Sequence, residues 1–159
     1  MHKIIVSLGN IDDAIRQFEE YEKKVKQNIK DFLSKLLDEG VEIAKAQIIE
    51  LNAVESGELQ SSLKYTLYTE DNKGIIFTDS RHACFVEFGT GVKGAGSPHP
   101  TRPWDYDTKG HGEVGWWYYD EQQGRIRYTK GMPSRPFMHN TAKELERKAV
   151  SIAREVFSK

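Results

Sequence analysis

The chain has 159 residues and carries 23 Lys and Arg against 24 Asp and Glu, a formal net charge of −1. This length suits one domain built around a single modest core, and the charge balance lacks the broad basic footprint of a dedicated duplex-binding protein. A single cysteine, Cys84, excludes an intrachain disulfide and suits a reducing compartment. The apolar run Ile4-Ile5-Val6 is too short for a signal peptide, and nothing approaches the roughly 18 apolar residues of a membrane helix, so a soluble intracellular protein is expected.

Ile4, Ile5 and Val6 suggest a short opening strand. Asn10 then reads as an N-cap, with Asp12 and Asp13 in a first turn where acids suit the helix dipole. Ile11, Ile15, Phe18, Val25, Ile29, Phe32 and Leu36 follow in a near-heptad seam interrupted by Glu22, and Leu37, Val41, Ala44, Ile48 and Leu51 continue a shifted stripe to Asn52. A straight helix over 10–52 would be about 60 Å long, longer than a compact domain of this size. The pattern therefore predicts either a bend near Gly40 or an N-terminal half that projects onto a neighbour. Core of the chain's own fold is the plainer use of the stripe.

Ser56-Gly57 breaks the helix. From Leu59 the period becomes two, with Leu63, Tyr65 and Leu67 facing one way and Lys64, Thr66 and Tyr68 the other. Asp71-Asn72-Lys73-Gly74 is a turn, Ile75-Ile76-Phe77 a second strand, and 82–88 a third. In that third strand His82, Cys84, Val86 and Phe88 share one face, and Ala83, Phe85 and Glu87 the other. Connections this short imply an antiparallel meander. Gly89-Thr90-Gly91 ends the strand, and no helix pattern follows. The segment 89–115, with Trp104 and Tyr106 among its glycines, is too long for an ordinary connection and reads as a flexible loop bearing anchors for a partner.

A hairpin comes next, Trp116-Trp117-Tyr118-Tyr119 turning at Gln122-Gln123-Gly124 into Arg125-Ile126-Arg127-Tyr128. Arg125, Arg127 and Thr129 should form an exposed basic face opposite a core face of Ile126 and Tyr128. Met138, Ala142, Leu145, Ala149, Ile152 and Val156 mark a final helix. Its start is ambiguous between a Ser134 cap with Pro136 just inside and a Thr141–Glu144 capping box. The expected fold is thus α+β: an antiparallel sheet, meander plus hairpin, flanked by a long N-terminal and a shorter C-terminal helix in one domain, 1–159.

No phosphate-loop pattern or GxGxxG is present, and there is neither a G-x-S-x-G elbow nor H-E-x-x-H. His82, Cys84, His99 and His111 could in principle supply a zinc site for a metal-dependent hydrolase, but their spacing matches no standard finger. A lone strand cysteine is more often a small buried hydrophobe, and His99 and His111 read as loop residues. Residue chemistry alone therefore indicates a binding or assembly module with no cofactor, no catalytic residues and no metal. Glu87, beside the glycine exit, and Arg135, before Pro136-Phe137, suggest either a charge-assisted pair joining the loop base to the last helix or two exposed charges that pair with water or with adjacent subunits.

Three stretches, "SGELQSSL" (56–63) after the long helix, "ACFVEFGTG" (83–91) and "MPSRPFMHNTAKEL" (132–145), resemble a family of tailed-phage and prophage neck proteins, the head–tail joining, tail-completion or minor tail components. The resemblance covers about residues 10–157, with 92–131 as the variable part. It implies a non-enzymatic, phage-encoded virion protein that forms a homo-oligomeric ring around the DNA channel. Its partners would be neighbouring neck and tail proteins and, passively, the DNA, with no membrane. It would reside in the virion, and in the host cytoplasm before assembly. Glu87, Phe88, Gly89, Thr90, Gly91, Arg135, Pro136 and Phe137 fall in the matching stretches. Within them, Gly89 and Gly91 would let the backbone leave the sheet, and Arg135-Pro136-Phe137 would fix the helix entry with Phe137 in the core.

Overall fold

The computed structural model describes residues 10–54, 56–101, 104–120 and 123–158. The expected opening strand at 4–6 and Gln122 of the hairpin turn lie outside the described residues. Helix α1 runs Ile11–Glu50, with Asn10 at its N-cap and Asp12 and Asp13 in the first turn. Its end is a left-handed Asn52 (φ 51°), after which the Ala53 amide donates back to the Ile48 carbonyl, the usual way to satisfy a last-turn carbonyl. After α2 (Glu58–Ser61), strands β1 (Leu63–Tyr68) and β2 (Lys73–Thr78) form an antiparallel hairpin pairing Leu63 with Thr78 and Tyr65 with Ile76. Its inner face packs on α1. A Cβ on Gly40 would collide with the Ile76 side chain and stand 2.8 Å from that of Leu145, and one on Gly74 would stand 2.6 Å from Leu37. Both glycines therefore allow the close approach of α1 to the strands, and Gly40 also its approach to the last helix.

The third strand of the expected meander is a helix, α3 (Ala83–Phe88). Alternation over so short an apolar run fits either period, and burial decides between them: Ala83, Val86 and Glu87 are the buried positions, the i, i+3, i+4 set of one helix face. A second short helix, α4 (Gly91–Gly96), opens where none was expected, followed by α5 (His111–Val114). Gly94 lies so near the Tyr106 ring that a Cβ would approach it to 2.7 Å. That tertiary contact stands against the weak helix propensity of a glycine-rich segment. The later hairpin, β3 (Trp116–Asp120) and β4 (Arg125–Thr129), is a separate two-stranded sheet.

The last helix, α6 (Phe137–Phe157), packs along α1, with Phe32 and Phe157 in ring contact at 6.4 Å. The core gathers Val41, Ala44 and Ile48 of α1 with Leu59, Leu63, Ala83, Val86 and Phe137. α1 is buried only from Leu37 onward, and residues 11–24 are exposed throughout. The helix is continuous through Gly40, and its N-terminal part stands clear of the core. No helix among the described residues is long and apolar enough to cross a membrane.

Candidate assembly site

The end of α3, the loop after it and the start of α6 meet around Glu87. Its carboxylate accepts from the Met138 amide (2.9 Å, Oε2) and the His139 amide (3.0 Å, Oε1), and lies 3.1 Å from His99 Nε2. The Thr101 amide donates to His99 Nδ1 at 3.3 Å, so the imidazole proton belongs on Nε2, aimed at Glu87. Glu87 and His99 are both buried. The acid thus caps α6 from a distant part of the chain, meeting free first-turn amides at the positive end of the helix dipole.

Neither cap read from sequence is used. Pro136 stands at the N-cap position without a side-chain cap, Ser134 Oγ donates to the Glu87 carbonyl at 2.6 Å, and Thr141 Oγ1 donates to the Phe137 carbonyl in mid-helix. The expected neighbourhood of Glu87 and Arg135 is real, but the expected ion pair is not. Arg135 reaches α3 through its backbone, its amide donating to the Val86 carbonyl at 2.8 Å, and the helix amides and His99 occupy the carboxylate instead.

Several of the candidate residues lie beside this cap. Phe88 stacks on Trp104 (4.5 Å between centroids, 5° between planes) and touches the His99 ring. Tyr106 donates its hydroxyl proton to the Phe88 carbonyl (2.9 Å) and accepts from the His99 amide (3.3 Å). Trp104 and Tyr106, expected as anchors for a partner, therefore hold the loop onto its own chain. Gly89 adopts φ 79°, ψ 175°, a region open essentially to glycine alone, and a Cβ there would lie 2.6 Å from the Ser134 nitrogen. Gly91 is also at positive φ. Thr90 ties the loop base to 130–132, its amide donating to the Met132 carbonyl and its hydroxyl accepting from the Met132 amide. Phe137 is 1% exposed.

Sequence reasoning named His99 only as a loop residue or zinc ligand and missed its buried pairing with Glu87. A histidine among Ser, Pro and Gly carries no periodic signal of burial, and its partner lies in a different element. The metal alternative fares no better. His82, Cys84 and His111 are exposed, His111 Nδ1 being 3.9 Å from Asp107 Oδ2. Among the described residues no group of three or more His, Cys, Asp or Glu is placed to hold a metal ion. A cavity of about 450 Å³ beside Glu87 and His99 is bordered by Cys84 and His139, and His139 Nε2 is buried without a hydrogen-bond partner among the described residues.

Large apolar side chains stand uncovered elsewhere. In β3–β4, Trp117 pairs with Tyr128 and Tyr119 with Ile126 on one face, exposed by 69%, 46%, 62% and 65%. The expected core face of Ile126 and Tyr128 is therefore a solvent face, because the hairpin stands apart from the β1–β2 layer. The opposite face carries Arg127, paired with the buried Asp120 at 3.0 Å. On α1, Ile15, Phe18 and Tyr21 are also exposed.

Residues 12–89 match the family model HK97-gp10-like, described as "Bacteriophage HK97-gp10, putative tail-component". The match runs from the first turn of α1 to the glycine after α3, taking in the first two resembling stretches apart from Thr90 and Gly91. No curated protein and no solved structure matches the chain.

Proposed function

We propose that this chain, whose residues 12–89 match the HK97-gp10-like model of phage tail components, is a non-enzymatic structural subunit of the head–tail connector. It acts in head–tail joining or tail completion, assembles as a homo-oligomeric ring around the DNA channel, and contacts neighbouring neck and tail proteins. The protein resides in the virion, and in the host cytoplasm before assembly. The DNA passes through the ring without specific recognition, in keeping with the net charge of −1.

The observation that carries this reading, beyond the family, is the amount of apolar surface left uncovered at two separate places, the projecting half of α1 and the outer face of β3–β4. Contiguous patches of this kind on a soluble chain mark interaction sites, and two of them on one small subunit suit an assembly with more than one neighbour. The Glu87 hub fits the same role. It ties α3 and the loop after it to the start of α6.

The test is a phage lacking this gene, examined by electron microscopy. Full heads beside separate tails are expected, with joining restored by the gene in trans. Normal, infectious particles would refute the proposal.

A further inference from the structure

A groove of about 670 Å³ lies between α3 and the β3–β4 hairpin, on the face opposite the exposed Trp117 and Tyr128. Its apolar walls include Phe85, Trp116, Tyr118 and Met132, and Lys93 and Arg135 border it. Phe85 is 48% exposed. Neither Lys93 nor Arg135 forms an ion pair among the described residues. The groove thus combines an uncovered apolar floor with two uncompensated cations, the chemistry that accepts an amphipathic acidic helix.

The chain contains such a helix end. Ile11, Ile15 and Phe18, exposed by 40%, 51% and 76%, recur at i, i+4 and i+7 and so form one stripe. At 100° per residue, Asp12 and Glu19 flank the same side of that stripe. Neither acid is ion-paired among the described residues, whereas Asp13 and Glu22 are held by Arg16 and Lys26.

We propose that the projecting end of α1 in one copy docks, Phe18 side down, into the groove between α3 and the β3–β4 hairpin of a second copy, with Asp12 and Glu19 facing Lys93 and Arg135. Geometry rules out the same contact within one chain. Val86 of the groove also lines a pocket with Ile48 of α1, and Phe18 lies roughly 45 Å along the helix from Ile48. Knob and hole therefore sit at opposite ends of one subunit. A contact of that kind is head-to-tail, and it closes into a ring or runs on as a filament according to its rotation. This deepens the ring reading above and rests on it for the claim that closure occurs.

The experiment is a charge swap in the full chain, read by sedimentation of purified protein from micromolar to millimolar concentration. The wild type should self-associate with rising concentration, less so at high salt. Asp12→Lys with Glu19→Lys should weaken association more than tenfold, and so should Lys93→Glu with Arg135→Glu, because each sets like charges against one another. The four changes together should restore it to within about threefold, an outcome that a merely structural effect would not produce. Thermal melts are expected to be unchanged, since all four side chains lie outside the core. Should the groove pair melt early, Lys93→Glu alone against Glu19→Lys gives the same comparison. A combined variant as weak as its parents, or a wild type monomeric throughout, would overturn the docking. Particle morphology reports separately on the neck role: unjoined particles without swap rescue would leave that role standing and the contact refuted, and swap rescue with normal deletion particles would do the reverse.

Discussion

Replacing Glu87 probes the hub most sharply. In the native chain its two carboxylate oxygens serve two different α6 amides, and Oε1 also serves His99. Glu87→Gln keeps one oxygen but turns an NH2 group against an amide donor, removing one charge-assisted bond and weakening the rest, a loss of about 1.5–3 kcal/mol. Glu87→Ala removes the whole cap, about 1–2 kcal/mol, and leaves the buried His99 N–H without its acceptor, about 1–3 kcal/mol more. Together these come to about 2–5 kcal/mol. Urea unfolding of the isolated subunit measures both variants, and a fall in midpoint at constant slope identifies a stability effect. Arg135→Met is the control. Its guanidinium has no part in the hub, so it should change stability by less than about 0.5 kcal/mol. A Gln variant within about 0.5 kcal/mol of wild type, or coupling between Glu87 and Arg135 above that level in a double-mutant cycle, would refute the reasoning.

Other outcomes follow from the same geometry. His99→Ala should destabilise the subunit by about 1–3 kcal/mol through the Glu87 bond it breaks, while His111→Ala, at the exposed first residue of α5, should leave the melting temperature unchanged. Gly89→Ala should cost at least about 2 kcal/mol, because it combines a glycine-only backbone region with a Cβ driven against the Ser134 backbone. NMR titration should find the Asp79 carboxyl below its ordinary range, held there by the hydrogen bond and charge of Lys64 at 2.8 Å. A depressed carboxyl contributes stability above its unfolded-state value and loses it as pH falls through the folded one, and Lys64→Met should abolish that contribution.

The long elements were legible because their periodicity is sustained. The stripe from Leu37 to Leu51 and the one from Met138 to Val156 could only be helix faces, and the 63–68 alternation matches the observed register of β1 on β2. The 83–88 run was too short for its period to be decided, and its helix is recognised only from the burial of Ala83, Val86 and Glu87. The faces of β3–β4 were misassigned for a different reason. Alternation tells that two faces differ, but which one is covered depends on where the hairpin stands, a tertiary fact. At the hub, the sequence brought Glu87 near the Arg135-Pro136-Phe137 entry but chose the nearest opposite charge as its partner. Backbone amides freed by a proline-led helix start, and a histidine twelve residues downstream, competed better. Pairings of this kind depend on chain path and leave no local pattern.

Cryo-electron microscopy of the intact virion tests the central claim most directly. The account predicts copies of this chain in a closed ring at the head–tail junction, each seating the exposed end of its α1 against the α3–hairpin groove of the next. Virions that contain no copy of the chain at the junction or in the tail would contradict it.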